Sequence, residues 1–404
     1  MKLCVLLPDH WAAIKGGSEY QAGVLVDRLV QRYDVRITYL TLGADPAFHP
    51  NGYRIESFSS RRGLRRYGKF FDAFRLYRAL EREAPDVIYQ QVGCAHTGIA
   101  AYYAKKHGCR MLWRIAHDND VTPQRPDWTR PHRIIERAFL EYGLRNAGTI
   151  IAQTADQKAL LSSNYGRNDA IVIRNFHPLP LSDEHEGARD NEMKRVVWVA
   201  NLKPSKNPDA FVRLALRFAG RRDVEFVMIG AWQAKPAWVA EVTALMRSAP
   251  NLRYLGELRQ DEVNATLQGA YTLVSTSHGE GFSNVFIQAW MRGVPVVSLN
   301  VNPDGLLDGE ALGFASGSED RLYDDVAKLI ENPALRDTMA NKARAFATAE
   351  FSEKNVDRIA SLMGLVPRQG PASIEETLQK FANWSETCMR GNMLPRAAIL
   401  ESIS

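Results

Sequence analysis

The chain carries two successive series of short apolar runs, and a segment with helical spacing separates each run from the next. Such alternation is typical of a parallel sheet wound with helices. At 404 residues the chain also exceeds the length at which a single hydrophobic core stops growing. We therefore predict an α/β protein with two doubly wound, Rossmann-like domains. The predicted strands are Leu3–Leu7, Val35–Leu42, Asp86–Tyr89, Met111–Ile115, Thr149–Ala152 and Ala170–Ile173 in the first series, and Val196–Val199, Glu225–Ile229, Leu252–Leu255, Tyr271–Ser275 and Pro295–Leu299 in the second.

The segment between the two series has the composition of a solvated linker. Residues 179–193 begin in a proline-containing stretch and continue as an acidic sequence with few apolar residues. We expect a hinge here, between an N-terminal domain at residues 1–178 and a C-terminal domain at residues 194–350. Because ligands of open α/β sheets bind outside the carboxyl ends of the strands, the chemistry is expected in a cleft between the two domains.

Composition and cysteine spacing exclude several classes of protein. No run of about 18 apolar residues occurs, so no transmembrane helix is expected. The four cysteines are scattered without metal-binding spacing, which predicts reduced thiols in the cytoplasm and no metal site. The net charge of +5 is modest and no recognition motif accompanies it, so nucleic acid is not an expected partner.

One segment concentrates positive charge. Between residues 61 and 78, seven Lys and Arg residues face the single acid Asp72, and aromatic residues lie among them. Two interpretations stay open: the segment contacts an anionic membrane surface, or it is a solvated helix that packs its aromatic residues inward. The basic residues are Arg61, Arg62, Arg65, Arg66, Lys69, Arg75 and Arg78, and the aromatic residues are Phe70, Phe71, Phe74 and Tyr77.

A glycine pair precedes the first predicted helix. Gly16 and Gly17 are followed by Ser18 and Gln21, which have the spacing of a capping box, so a helix start is predicted at Ser18. Glycines allow a ligand to approach the backbone, and the amides at a helix start favour an anion such as a diphosphate. The alternative is a glycine-rich turn that binds nothing.

A second strand–loop–helix unit runs from residue 278 to 295. Its helix is predicted to begin at Ser283 as the N-cap, which leaves Glu280 on the loop above the sheet. A carboxylate there can accept hydrogen bonds from sugar hydroxyls, while the amides of Ser283, Asn284 and Val285 can bind phosphate oxygens. The alternative is an exposed loop acid without a ligand.

This unit resembles the E-G-F-x-x-x-x-x-E signature of family 4 glycosyltransferases. Glu280, Gly281 and Phe282 match its first half, and Gln288 stands in place of the second acid. The resemblance implies that Glu280 contacts the donor sugar, that Gly281 and Phe282 belong to the donor site, and that Gln288 contacts the ribose. An amide offers one acceptor and one donor where a carboxylate accepts from both hydroxyls, so weaker donor binding is expected.

Two further segments are similar to motifs of the same family. Residues 199–207 resemble V-G-R-L-x-x-x-K-G, with the lysine at Lys206, Asn201 at the arginine position, and Lys203 two residues further on. The resemblance implies that an arginine and a lysine here neutralise the departing diphosphate, so Lys203 is the candidate for the cation that Asn201 cannot supply. The alternative for Lys206 is a solvent-exposed loop lysine. Residues 113–120 resemble the family's histidine loop, and His117 is expected to face the donor sugar or the acceptor without acting as a covalent nucleophile.

The resemblance covers residues 1 to about 365 and implies a retaining GT-B glycosyltransferase whose two domains face each other across a cleft. The expected donor is a nucleoside diphosphate sugar, with neither metal nor other cofactor, and the expected acceptor is a glycan or a lipid-linked molecule in polysaccharide or glycoconjugate biosynthesis. Residues 351–368 are expected to form a helix that crosses back to the N-terminal domain, and residues 369–404 an appended helical tail. A cytoplasmic protein, peripheral at the inner face of the membrane if the basic segment binds lipid, is predicted. The alternatives are a degenerate sugar-nucleotide binder, because Asn201 and Gln288 replace two motif residues, and a GT-B epimerase.

Overall fold

The structure is a computed structural model that describes residues 1–14, 16–58, 68–123, 131–180 and 193–368. These residues form two parallel sheets, one of seven strands and one of six, with helices between consecutive strands except β2 and β3, which a loop joins. The predicted fold class, an α/β protein with two doubly wound domains, is confirmed. The predictions for residues 181–192, for the tail at 369–404, and for Arg61, Arg62, Arg65 and Arg66 lie outside the described residues.

The first sheet has the strand order β3-β2-β1-β4-β5-β6-β7. Its central strands are buried on both faces, as parallel strands covered by helices must be. The register is regular: Leu3 lies opposite both Ile37 of β2 and Val87 of β4. The strands are β1 Lys2–Leu6, β2 Arg36–Thr41, β3 Arg54–Ser57, β4 Val87–Gln91, β5 Arg110–Arg114, β6 Thr149–Ala152 and β7 Ile171–Val172.

The second sheet has the order β10-β9-β8-β11-β12-β13. Its first strand in sequence, β8, lies at the centre beside β9 and β11, which is the arrangement that β1 has in the first sheet. In both sheets the strand order therefore reverses at the first strand, and ligands bind at such switch points. The strands are β8 Lys194–Val199, β9 Val224–Ile229, β10 Leu252–Tyr254, β11 Thr272–Ser275, β12 Val296–Ser298 and β13 Gly313–Ala315.

Two strands were missed by the sequence analysis for a common reason. Both β3 and β13 lie at a sheet edge, where one flank has no strand partner. The β3 sequence is mostly polar and only half-buried, and β13 is three residues long, so neither contains an apolar run that would predict a strand.

Helices cover both sheets. The last helix in sequence packs against the first sheet and not against the second sheet, which precedes it in the chain. Helix α13 comes after the whole second sheet, yet Val356, Ile359 and Met363 pack in the same core as Leu3 and Val5 of β1. Among the described residues, no helix combines the length and the apolar character needed to cross a membrane. The helices are α1 Gly17–Arg32, α2 Gly68–Glu83, α3 Ala95–His107, α4 Pro131–Asn146, α5 Ala155–Tyr165, α6 Pro208–Arg217, α7 Pro236–Arg247, α8 Gln260–Gln268, α9 Asn284–Met291, α10 Leu306–Gly309, α11 Glu319–Glu331, α12 Pro333–Glu350 and α13 Lys354–Met363.

Candidate active site

A cavity of about 560 Å³ lies between the carboxyl ends of the two sheets. This volume is within the range of small-molecule sites. The face of α1 and the loop after β1 form one wall, and the loops that follow β8, β9, β10 and β11 form the other. Most of the predicted site residues line this cavity: Gly16, Gly17, Asn201, Lys203, Lys206, Glu280, Phe282, Ser283, Asn284, Val285 and Gln288.

Two helices begin at the cavity without side-chain caps. Helix α1 begins at Gly17 with Gly16 as its N-cap, and α9 begins at Asn284 with Ser283 as its N-cap; neither N-cap side chain accepts a bond from the first turn. The first amides of a helix have no partner within the helix, and the positive end of its dipole lies there. Both helix starts therefore favour negative charge; at α1 the Glu19 carboxylate already lies against Gly16 and accepts a main-chain bond, and an anion in the cavity would join it there.

The capping box predicted at Ser18 is wrong. The helix begins one residue earlier, and the Gln21 side chain reaches away from the cap. It is buried and bonds the main chain of Phe176, with Nε2 2.8 Å from the carbonyl oxygen and Oε1 3.1 Å from the amide. Tertiary contacts with a distant segment outweighed a local hydrogen bond.

The two predicted charged residues of the site form an ion pair. Lys206 ends a short 3-10 turn after β8, and its Nζ lies 2.8 Å from Oε1 of Glu280. The Ser277 hydroxyl donates to the same carboxylate oxygen at 2.7 Å. Both charged side chains are mostly buried, at 19% and 16% exposure, so Glu280 is not a solvated loop acid.

A second lysine lies beside this pair. Burial, followed by the positive charge of Lys206, lowers the pKa of Lys203, while the carboxylates of Glu280 and Glu19 oppose that shift. Two ammonium groups that repel each other and are partly removed from water are stabilised by an added anion. Asn201, which stands at the arginine position of the motif, lines the cavity but contributes no charge.

Gln288 lies one turn along α9 from Val285, on the same side of the helix. Its side chain is 5% exposed and both residues line the cavity. The spacing of three residues places them on one helix face. A ligand whose phosphates bind at the start of α9 would therefore reach Gln288 with its next group.

His117 and Gly281 do not line the cavity, although they lie next to each other. The Cα of His117 is 3.0 Å from the position that a Cβ on Gly281 would occupy, and the Ala116 carbonyl oxygen is 2.8 Å from it. Close packing against the histidine loop explains the glycine, and its place in the donor site stays a prediction.

The histidine loop is held by its own hydrogen bonds. The Asp120 carboxylate accepts the amides of Ala116 and His117 at 2.9 and 3.1 Å. The Nδ1 atom of His117 accepts the Asn119 amide at 3.1 Å, which leaves the proton of the neutral ring on Nε2. The ring therefore offers a donor to a ligand.

The sequence analysis missed the contribution of α1 beyond its first turn. Tyr20, Val24 and Asp27 line the cavity together with Trp11 of the preceding loop. Their helical spacing of three and four residues would have indicated a shared face. Among the described residues, no group of three or more His, Cys, Asp or Glu side chains could hold a metal ion.

Two parallel α/β domains with a cavity between their strand ends define the GT-B class of transferases. Family models agree with that assignment: the model of Glycosyltransferase Family 4 matches residues 15–179, and that of Glycosyl transferases group 1 matches residues 193–332. The chain belongs to this family of glycosyltransferases.

Known relatives are distant in sequence. An uncharacterised glycosyltransferase of Methanocaldococcus jannaschii is 23% identical over 359 residues, which cover 87% of this chain and 95% of that protein. The D-inositol 3-phosphate glycosyltransferase of Streptomyces coelicolor is 24% identical over 232 residues, 49% of this chain and 51% of the relative.

Solved structures share the fold. Anabaena HepE in complex with UDP and glucose has a TM-score of 0.71 at 17% identity, with 90% of this chain and 99% of that one covered. WaaG, a glycosyltransferase involved in lipopolysaccharide biosynthesis, has a TM-score of 0.71 at 13% identity, with 91% and 100% covered.

Proposed function

We propose that this glycosyltransferase moves a sugar, with retention of anomeric configuration and without a metal ion, from a nucleoside diphosphate sugar to a glycan or lipid-linked acceptor. The observation that carries the proposal is the convergence on one cavity of two helix starts, two lysines, Glu280 and Gln288. Each group matches one part of a sugar nucleotide.

The diphosphate fits the helix starts and the lysines. Amides at Gly17 and Asn284 can bind its oxygens, and Lys206 has three N–H donors, so it can keep its bond to Glu280 while it binds a phosphate. Negative charge on the diphosphate grows as the bond to the sugar breaks, and fixed positive groups stabilise that change most. These groups supply the charge that a divalent cation supplies elsewhere.

The sugar and the ribose fit the remaining groups. Glu280, fixed by Lys206 and Ser277, can accept a sugar hydroxyl, and Gln288 lies further along α9 for the ribose. The Nε2–H of His117 is available to the sugar or the acceptor. For retention, the acceptor oxygen attacks from the face that the diphosphate leaves, and the departing phosphate oxygen takes the acceptor proton.

A donor panel tests the proposal. We expect one of UDP-, GDP- or ADP-sugars to be hydrolysed or transferred. The rate should not change after a chelator removes metal ions. Proton NMR should show the anomeric configuration of the donor in the first product. UDP-glucose is the first donor to test, because HepE, which shares the fold, was crystallised with it. Inversion of the anomeric centre would contradict the retaining mechanism, and loss of activity with the chelator would contradict metal independence.

Two alternatives are separated by the same assay. A sugar-nucleotide binder without activity gives a donor-dependent rise in melting temperature and no turnover, and an epimerase converts the donor without releasing nucleoside diphosphate.

Gln288→Glu restores the two-acceptor geometry of a carboxylate, so it is expected to keep or tighten donor binding. A large loss of affinity would assign Gln288 another role.

A further inference from the structure

A relay of four polar side chains connects the interior of the first domain to the start of α9. Arg114 Nη2 donates to Asn175 Oδ1 at 2.8 Å, and Asn175 Nδ2 donates to Asn284 Oδ1 at 2.9 Å. Gln21 Nε2 donates to the same Asn284 oxygen at 3.1 Å, and Asn284 Nδ2 donates to the Gly17 carbonyl oxygen at 2.9 Å. We call Arg114, Asn175, Gln21 and Asn284 the buried relay.

Asn284 joins the two helix starts that form the anion site. Its main chain begins α9 and its side chain bonds the first residue of α1. Two donors converge on its oxygen, so the orientation of the amide is fixed and its nitrogen must face Gly17. The relay therefore sets the separation of the two helix starts.

Arg114 provides the relay with a positive charge that the fold does not neutralise. Its side chain is fully buried, and its guanidinium lies 4.8 Å from the centre of the Phe176 ring. Besides Asn175, Nη2 reaches the Arg174 carbonyl oxygen at 3.3 Å, and the guanidinium also interacts with the Tyr89 hydroxyl, whereas no carboxylate among the described residues forms an ion pair with it. A buried cation without a carboxylate is strongly unfavourable, and exchange for an apolar side chain of similar size often stabilises a protein.

We infer that Arg114 and Asn284 are positioning residues for the donor diphosphate. The buried charge of Arg114 polarises the relay toward the paired helix starts, and an anion bound in the cavity adds to the Glu19 carboxylate the counter-charge that Arg114 has no ion-pair partner to supply. Hydrogen bonds in such a chain strengthen one another in a low-dielectric interior. The role rests on the proposed function, since it requires a phosphorylated ligand.

Arg114→Met is the test, because methionine keeps much of the volume and removes the charge. We expect an unchanged or higher melting temperature without ligand, a loss of about tenfold or more in UDP affinity by calorimetry, and no change in the affinity for uridine, which lacks phosphate. GDP with guanosine, or ADP with adenosine, replaces this pair if the panel selects another base. Arg114→Lys keeps the charge and should recover part of the affinity.

Arg336→Met is the matched control. Arg336 is also buried, but it is bonded to carbonyl oxygens of Tyr271 and Gly293 and paired with Asp337, so its loss should lower stability and leave the ratio of diphosphate to nucleoside affinity unchanged. Asn284→Ala should lower kcat more than it raises the donor KM, because both helix starts stay present but shift.

Three results would overturn the inference. Arg114→Met could destabilise the protein without changing diphosphate affinity, which assigns Arg114 a structural role only. It could weaken uridine and UDP equally, which removes the dependence on charge. If the wild-type protein binds no nucleoside diphosphate at all, the proposed function fails as well; if the wild type and Arg114→Met bind it equally well, only the inference about the buried relay fails.

Discussion

Lys206 and Glu280 hold opposite charges 2.8 Å apart at the point where the donor's sugar–phosphate bond is expected. Lys206→Ala should lower kcat by roughly 100-fold with a smaller change in donor KM, because the lysine acts on charge that develops as the bond breaks. Glu280→Ala should abolish transfer and keep the fold, with a lower melting temperature because the mostly buried Lys206 loses its carboxylate partner. Steady-state kinetics with circular dichroism measure both effects, with the exposed Lys342→Ala as control. An unchanged kcat in Lys206→Ala would remove it from the mechanism.

His10 makes stability depend on pH. The ring is fully buried against Trp11, and burial lowers its pKa from 6.5 to about 4. The unfolded chain therefore binds the proton more readily than the folded one. The stability that neutral His10 contributes is fully present above pH 6.5 and is lost as the pH drops toward 4. The expected loss from this group is about 3 kcal/mol between pH 7 and pH 4.

Urea unfolding at a series of pH values measures this loss. His10→Gln removes the titrating ring, so we expect a lower stability at pH 7 but a flatter decline below pH 6.5. An equally steep decline in the variant would show that other groups cause the acid sensitivity.

At the scale of elements, helix α2 bears on the two interpretations of the basic segment. Its inward face consists of Leu76, Ala79 and Leu80, while Phe74 is 60% exposed and Tyr77 is half-buried. The packing of aromatic residues inward is therefore wrong for Phe74. The side chains of Lys69, Phe70 and Phe71 lie outside the described residues.

Exposed apolar side chains continue onto the neighbouring helices. Tyr102 of α3 is 50% exposed and lies 6.1 Å from Tyr77, ring centre to ring centre, and Ile134 and Ile135 of α4 are 57% and 53% exposed. Arg78 lies over the Phe74 ring, so cations and apolar groups alternate on this surface. Such a surface matches anionic headgroups and the bilayer interface, and membrane contact stays a prediction.

Flotation with vesicles tests this contact. We expect binding when an anionic lipid is included, weaker binding at high salt, and weaker binding for the variant Phe74→Ala/Tyr102→Ala. Ile171→Ala, on the exposed edge strand β7, is the matched control and should bind like the wild type. Binding that does not depend on lipid charge or salt would favour a soluble acceptor.

At the scale of the whole molecule, the two domains also meet through reciprocal bonds between two aspartates. The Asp156 amide donates to Asp304 Oδ1 at 3.1 Å, and the Asp304 amide donates to Asp156 Oδ2 at 2.9 Å. Asp156 is at the start of α5 and Asp304 follows β12, so the bonds cross from the first domain to the second. Arg174 approaches Asp304 at 3.7 Å on the same side.

The variant Asp156→Ala/Asp304→Ala should open the cleft more often. Each hydrogen bond contributes about 1 kcal/mol net, so the pair shifts the closing equilibrium by about 2 kcal/mol. We expect a larger radius of gyration by small-angle X-ray scattering and a higher donor KM. The solvent-exposed Asp320→Ala is the control, and identical scattering of all three proteins would show that these bonds do not hold the domains together.

Much of the architecture and of the cavity wall was predictable because the signals are local. A buried parallel strand such as Thr149–Ala152 requires a continuous apolar run, and the structure has the predicted bounds there. The main-chain amides at a helix start are placed by local chain geometry, so the sequence pattern identified the N-cap of α9 at Ser283 and came within one residue of the start of α1.

Tertiary structure decided which side chains became partners. Gln21 was predicted to cap its own helix and instead bonds Phe176, 155 residues away, and Gly281 is a glycine because Ala116 of the other domain lies against it. Arg114 belongs to an apolar-looking strand, and only the fold shows that it has no carboxylate within reach among the described residues. The sequence determined where strands and helices begin, since their hydrogen bonds and periodicity are local. The partners of buried polar groups depend on which distant segments pack beside them, and only the assembled domains determine that.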